Sequence, residues 1–181
     1  MHKTTFHLIL IGLINVLLVS CHPDKNMPVQ LSEMRFTTTD ASELFFNNVR
    51  KSAYKEEQNK EAGINVYRSK ELENSSILLE PVLILNWRHD QAFIILEERD
   101  SSFEDEVIFS IGSSQKELLT FDKSHHKDHT KFCLIAYNAL LEGDTIYIQN
   151  ESGLTLYLAE EEHRSAFRKV IFDWLRLVDL R

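Results

Sequence analysis

Two continuous apolar runs occupy the middle of the chain. Residues 82–85 read Val-Leu-Ile-Leu and residues 93–96 read Phe-Ile-Ile-Leu, and a polar segment that contains His89 and Asp90 separates them. A strand that is covered on both faces shows such a run, whereas a half-buried strand alternates apolar and polar positions. The pattern therefore predicts two adjacent strands, over 81–87 and 92–98, that are covered on both faces or central in a sheet.

Shorter segments, several of them separated by glycine-containing turns, predict further strands. They are bounded by polar clusters and are rich in β-branched or aromatic residues. These segments cover 34–38, 52–58, 64–69, 107–111, 118–121, 145–149 and 154–158.

The last two of these segments are expected to form a hairpin around Gly153. Isoleucine and leucine alternate there with threonine and tyrosine, so we expect the aliphatic face to be core and the face with Tyr147 and Tyr157 to be partly exposed. Exposed aromatic rings beside hydroxyls suit contacts with a protein or a glycan. Tyr147, Tyr157 and Trp87 are therefore candidate binding residues. The alternative is that another element covers this face.

Apolar residues at helical spacing predict three helices, over 40–50, 125–141 and 160–177. In the first helix, Asp40 and Glu43 are positioned to form a capping box. Leu44, Phe45 and Val49 are expected to point inward. The third helix is amphipathic and closes the chain.

These elements predict an α+β domain over residues 34–181. We expect a mostly antiparallel sheet of about six to eight short strands packed against two or three helices, including the C-terminal amphipathic helix. Strand–helix–strand alternation, which a doubly wound parallel sheet requires, is not visible in the sequence.

Another apolar run lies near the start of the chain. Residues 8–19 are apolar except for Gly12 and Asn15. These 12 residues span about 18 Å as a helix, at roughly 1.5 Å per residue. A hydrocarbon core of about 30 Å needs roughly 20 apolar residues. The run is therefore too short for a membrane span and is typical of the apolar segment of a signal peptide.

The segment Leu18-Val19-Ser20-Cys21 resembles the lipobox of bacterial lipoproteins. The resemblance implies a signal peptide over 1–20 and a covalent lipid on Cys21. Residues 22–33 contain two prolines and little apolar periodicity, so we expect a lipidated tether over 21–33. It further implies a cell-envelope location, and His22 after the cysteine favours the outer membrane in a host with two membranes. The alternative is an ordinary secretory signal that a cysteine happens to follow.

The charge balance restricts the partners. The chain has a formal net charge of −8, and removal of residues 1–20, which hold one lysine and no acid, brings it to −9. An acidic surface repels phosphate backbones, so we expect no nucleic-acid partner. It also gives no attraction to anionic headgroups, so attachment to a membrane depends on the lipid.

The residues most suggestive of chemistry are His125, His126 and His129. His125 and His129 are four apart, which places them on one helical face at a spacing that metal ligands use. Lysines at 123 and 127 oppose a cation there, so a solvated loop and first helical turn is the alternative. Cys133 follows one turn later and borders the apolar stripe, where a small buried side chain is expected.

Three hypotheses for function follow. The leading one is a non-catalytic envelope module that binds a protein or a cell-surface polymer, with no cofactor besides the lipid. The second is a small metal-assisted hydrolase that uses His125, His126 and His129. The third is an inhibitor or immunity-type protein that its acidic charge steers to a basic target.

Overall fold

A computed structural model describes residues 27–99, 106–112, 117–122, 124–150 and 153–181. The signal peptide and Cys21 lie outside these residues. Within the same ranges, no helix combines the length and the apolar character that crossing a bilayer requires.

The predicted α+β architecture is confirmed, with the strands divided between two antiparallel sheets of four. The first sheet has the order β1-β2-β3-β4 and the second has the order β6-β5-β7-β8. The strands are β1 (Tyr54–Asn59), β2 (Ile64–Ser69), β3 (Leu79–Asn86), β4 (Gln91–Glu98), β5 (Glu106–Ile111), β6 (Glu117–Asp122), β7 (Ile146–Asn150) and β8 (Gly153–Tyr157).

Within the described residues, three α-helices accompany the sheets: α1 (Asp40–Phe45), α2 (His126–Glu142) and α3 (Glu161–Leu177). A π-helical turn, Phe46–Arg50, continues α1. Short 3-10 turns lie at Leu31–Glu33, Lys51–Ala53 and Lys70–Leu72.

The prediction for the first apolar run is confirmed, because β3 is central and every residue from 79 to 85 is buried. It is wrong for the second run, because β4 is the edge strand and its residues alternate between buried and half-buried. Side chains of α2 and α3, rather than a further strand, cover that edge. Helix α2 joins the two sheets: Thr130 on α2 bonds to Ile94 of β4, and Phe132 stacks on Phe109 of β5 with ring centroids 3.8 Å apart. Helix α3 packs on the first sheet, where the buried Trp174 donates to the carbonyl of Ala92 (2.9 Å). One core cluster therefore runs through both sheets and both long helices.

The first helix differs from its prediction. Thr39 and Ser42 form the capping box, whereas Glu43 accepts from the Thr38 hydroxyl (2.5 Å). The inward residue is Phe46, and the predicted inward positions Leu44 and Val49 are exposed. The physical reason is that a π turn holds more residues per turn than an α-helix, so the apolar phase read at a period of 3.6 does not carry through residues 46–50.

The orientation predicted for the last hairpin is wrong for β8. Tyr157 lies opposite Ile146 in the register, on the core face, and its side chain is 2% exposed. Leu154 and Leu156 are exposed instead. The Tyr157 hydroxyl donates to the carbonyl of Leu79 in the first sheet (2.7 Å), so this ring fills the space between the sheets and satisfies its polar atom there.

Two segments at the start of the described chain differ from their predictions. Residues 34–38 form only a single bridge, between Thr37 and Gln91, rather than a strand. Val29, inside the expected tether, is buried in the core, and its backbone N–H and C=O bond to the Asn138 amide (2.9 and 2.8 Å). Arg181 also donates to the carbonyl of Pro28 (2.8 Å). Packing against the domain therefore begins before residue 34.

Candidate functional site

A groove lies between the segment made of α1 with its π turn and the C-terminal half of α3. It encloses about 320 Å³, within the size range of small ligand sites. We call it the α1–α3 groove. Its lining is Phe45, Val49, Arg50, Lys169, Phe172, Asp173 and Arg176.

A buried charge network forms one part of this lining. Asp173 is 2% exposed and accepts two hydrogen bonds from the Arg50 guanidinium (2.7 and 2.9 Å) and one from the Tyr54 hydroxyl (2.6 Å). The hydrogen bond to Asp173 raises the pKa of Arg50. Burial, reinforced by the Asp173 charge, raises the pKa of Tyr54 well above its ordinary value. The two charges neutralise each other, so neither Arg50 nor Asp173 offers a free charge to a ligand of the groove.

Arg176 has a different environment. Its guanidinium carbon lies 4.1 Å from the centroid of the Phe45 ring and 5.8 Å from that of Phe172, which are cation–π contacts. None of the carboxylates that the structure describes lies within ion-pair distance of it. Lys169, the remaining cation of the groove, is paired with Glu71 (2.8 Å). Arg176 is thus the groove cation that still has hydrogen-bonding capacity for an anion.

The groove lining includes an exposed aliphatic side chain. Val49 is 54% exposed, and Leu44, which precedes the lining residue Phe45 in the chain, is 62% exposed. An exposed apolar side chain within a concave site is available for contact with a ligand. Sequence reasoning missed this site because it assigned Leu44, Phe45 and Val49 to the core; the asparagine pair at 47 and 48, which interrupts the apolar spacing, was the available signal.

The structure places the three histidines differently from one another. His125 precedes α2, is exposed, and its Nδ1 lies 2.8 Å from the Ser124 hydroxyl. His126 packs against the rings of Phe93 and Phe36. His129 is 5% exposed, and its Nδ1 accepts a hydrogen bond from the backbone N–H of Leu96 (2.9 Å).

His126 and His129 do line one open groove of about 380 Å³ together with residues 95–98 and Ser124. The carboxylate of Glu97 in this groove is held by Arg68 (2.6 and 2.8 Å), which lowers the pKa of Glu97. Over the described parts of the chain, no three His, Cys, Asp or Glu side chains converge in a way that would hold a metal ion. The metal site considered from the sequence therefore has no assembled geometry among these residues.

Cys133 is buried, as the sequence predicts. Desolvation raises the pKa of its thiol far above the ordinary value. A thiol in that environment stays protonated at neutral pH and is a poor nucleophile. It therefore acts as a small core side chain.

The candidate aromatic residues lie in separate places. Trp87 is 45% exposed in the turn after β3, with the Arg88 guanidinium 5.5 Å from its ring. Tyr147 is half-buried and lies opposite Leu156, on the face of the second sheet away from Tyr157. Tyr157 is buried in the core. The expectation that Tyr147 and Tyr157 share an exposed face is therefore wrong, and of the three only Trp87 is well exposed.

No protein-family model matches the chain, and neither a curated protein nor a solved structure matches it significantly. Function is therefore inferred from the geometry of the described residues. The α1–α3 groove combines concavity, apolar side chains and a cation that none of the described carboxylates neutralises. Arginine and aromatic side chains of this kind are enriched at surfaces that recognise a partner.

Proposed function

We propose that this protein is a non-catalytic binding module, held at a bacterial membrane surface by lipid on Cys21, which recognises its partner through the α1–α3 groove. The observation that carries the proposal is Arg176, stacked on Phe45 in a groove that the exposed Val49 also lines. Arginine and aromatic residues are enriched at the energetically dominant positions of protein interfaces.

The anchor is supported by the pattern at residues 8–21 and by the chemistry of acyl chains. Each buried methylene contributes about 0.8 kcal/mol, so two or more chains give stable attachment. Met27 lies six positions after Cys21. A fully extended chain covers about 3.5 Å per residue, so the lipid would keep the start of the domain within about 20 Å of the membrane.

The anchor is tested by mass spectrometry of the protein isolated from bacterial membranes. We expect a product that begins at Cys21 and carries acyl chains. We also expect Cys21→Ser to move the protein into the soluble fraction. The matched control is Cys133→Ala, which changes the other cysteine and should leave the protein in the membrane fraction. An unmodified sulfur at position 21 in the native product would contradict the anchor.

The binding role is tested by photo-crosslinking in intact envelopes. A crosslinking amino acid replaces Leu44 beside the groove or, as a control, Leu154, an exposed leucine on β8. We expect a discrete adduct from position 44 that Arg176→Gln abolishes, and no such adduct from position 154. Identical crosslinking patterns at the two positions, or an adduct insensitive to Arg176→Gln, would contradict a partner site at the α1–α3 groove.

A further inference from the structure

The charges of the α1–α3 groove indicate what the partner must supply. Arg50 and Lys169 are neutralised within the chain, by Asp173 and by Glu71. Arg176 is not, among the residues that the structure describes, and its cation–π contacts occupy none of its N–H donors with an acceptor. A half-buried guanidinium whose N–H donors meet no acceptor among the described residues can bind a carboxylate, which matches its fork with two parallel hydrogen bonds.

The surroundings of Arg176 indicate what must accompany that carboxylate. The phenyl rings of Phe45 and Phe172 and the side chain of Val49 line the same groove. These surfaces favour an apolar side chain, and the groove has room for one or two. The ligand therefore combines one carboxylate with an adjacent apolar group.

We propose that the α1–α3 groove takes a protein segment in which a carboxylate binds Arg176 while a neighbouring apolar side chain packs on Phe45 and Val49. This inference rests on the proposed binding function and specifies the chemistry of the partner.

A protein segment fits better than a membrane surface for two reasons. The site is concave, whereas a bilayer presses on convex or flat surfaces. The chain after residue 20 has a formal charge of −9, which disfavours approach to anionic headgroups, and the groove offers a single unneutralised cation. A segment with one carboxylate and little further negative charge avoids that repulsion.

Selection from a displayed random dodecapeptide library tests the proposal, with the full-length protein in detergent as the target. We expect the bound peptides to be enriched in Asp or Glu next to Leu, Ile, Val or Phe. Replacing that acid in a selected peptide by its amide should weaken binding about 10-fold or more, because a charge-assisted hydrogen bond is lost.

The variants Arg176→Gln and Arg168→Gln form a matched pair on the same helix. Arg168 pairs with the exposed Glu161 and is not part of the groove lining. Binding of the acidic peptide should fall about 10-fold or more with Arg176→Gln and less than about 2-fold with Arg168→Gln. For the amide peptide, Arg176→Gln should have little further effect, because both changes remove the same contact.

The outcomes separate the two proposals. Peptides that need Val49 and Phe45 but show no preference for acids would overturn the carboxylate inference and leave the binding function standing. If no peptide depends on groove residues, both fail at this site. A third arm uses vesicles of phosphatidylcholine with phosphatidylglycerol and the Cys21→Ser chain; Arg176-dependent binding that requires the anionic lipid would overturn the protein segment in favour of a membrane.

Discussion

The histidine segment (residues 125–129) and the α1–α3 groove differ in how well residue type alone predicts the role of a side chain. Histidines at metal-ligand spacing drew attention in the sequence, yet His129 accepts a backbone hydrogen bond and His126 packs on two phenyl rings. Arg176 lies in the last turn of α3, where a basic side chain complements the helix dipole. In the structure it is stacked on Phe45, with no described carboxylate beside it. Whether a polar side chain can bind a ligand therefore depends on the residues that already contact it in the fold.

The histidine segment has an identifiable structural task at the edge of the first sheet. Strand β4 is an edge strand, and its outward backbone groups need partners other than a neighbouring strand. Thr130 and His129 of α2 bond to Ile94 and Leu96, and Trp174 of α3 bonds to Ala92. These side chains cover the edge and join the helices to the sheet. Arg176, by contrast, makes no hydrogen bond of this kind to the described residues.

The largest expected effect comes from Arg50→Met, which removes the ion pair between Arg50 and the buried Asp173. Asp173 would keep only the Tyr54 hydroxyl as a partner for its buried charge, so we expect the free energy of unfolding to fall by about 3 kcal/mol. Urea denaturation measures the change. As a control, Arg168→Met removes an ion pair with the exposed Glu161 and should cost less than about 1 kcal/mol. Equal losses in the two variants would show that the buried Asp173 network stabilises the fold no more than an exposed ion pair does.

A smaller loss is expected for His129→Ala. The variant leaves the Leu96 N–H without its acceptor and removes a buried ring, so we expect unfolding to require about 2 kcal/mol less. His125→Ala, at an exposed position before α2, should stay within about 0.5 kcal/mol of the parent. The same denaturation series compares them. If His129→Ala is as stable as the parent and instead loses stoichiometric zinc binding, the comparison of the two regions fails and the hydrolase hypothesis gains support.

A still smaller effect on stability is expected for Arg176→Gln. The variant removes cation–π contacts with Phe45 and Phe172, which contribute about 0.5–1 kcal/mol. Denaturation should therefore show a small loss, while binding at the groove falls sharply. A stability loss as large as that of Arg50→Met would mean that Arg176 is needed for the fold, and it would argue against a role for Arg176 in binding alone.

The smallest expected effect is a dependence of the free energy of unfolding on pH, through Glu97 in the groove that His126 and His129 line. Hydrogen bonds from Arg68 lower the pKa of Glu97 in the folded protein below its ordinary value of 4.5. The unfolded state then binds a proton more readily, so this pair stabilises the fold above about pH 4.5 and the contribution is lost as the pH falls through the folded pKa. Because both side chains are about a third exposed, we expect less than about 1 kcal/mol. The control Arg68→Gln should flatten this part of the stability curve; an unchanged slope would contradict the assignment to Glu97.

Elements with an uninterrupted pattern were predictable. The apolar runs of β3 and β4 and the spacing of α2 up to Gly143 each gave the observed element to within about two residues, and Gly143 adopts the positive φ of 82° that a helix end favours. Two elements were not predictable in detail. The π turn after α1 exposed Val49 and buried Phe46, and the space between the sheets buried Tyr157 at a position where alternation placed it outside.

The sequence by itself determined the fold class, most of the hydrophobic elements and the burial of Cys133, because burial of apolar side chains follows local periodicity. It also carries the prediction of the lipid anchor, which concerns residues before the described chain. Only the tertiary structure decided which polar side chains were available. Whether Arg176, His129 or Asp173 meets a partner depends on residues far away in the chain, and the pairing energy of a buried charge or donor is a property of that meeting.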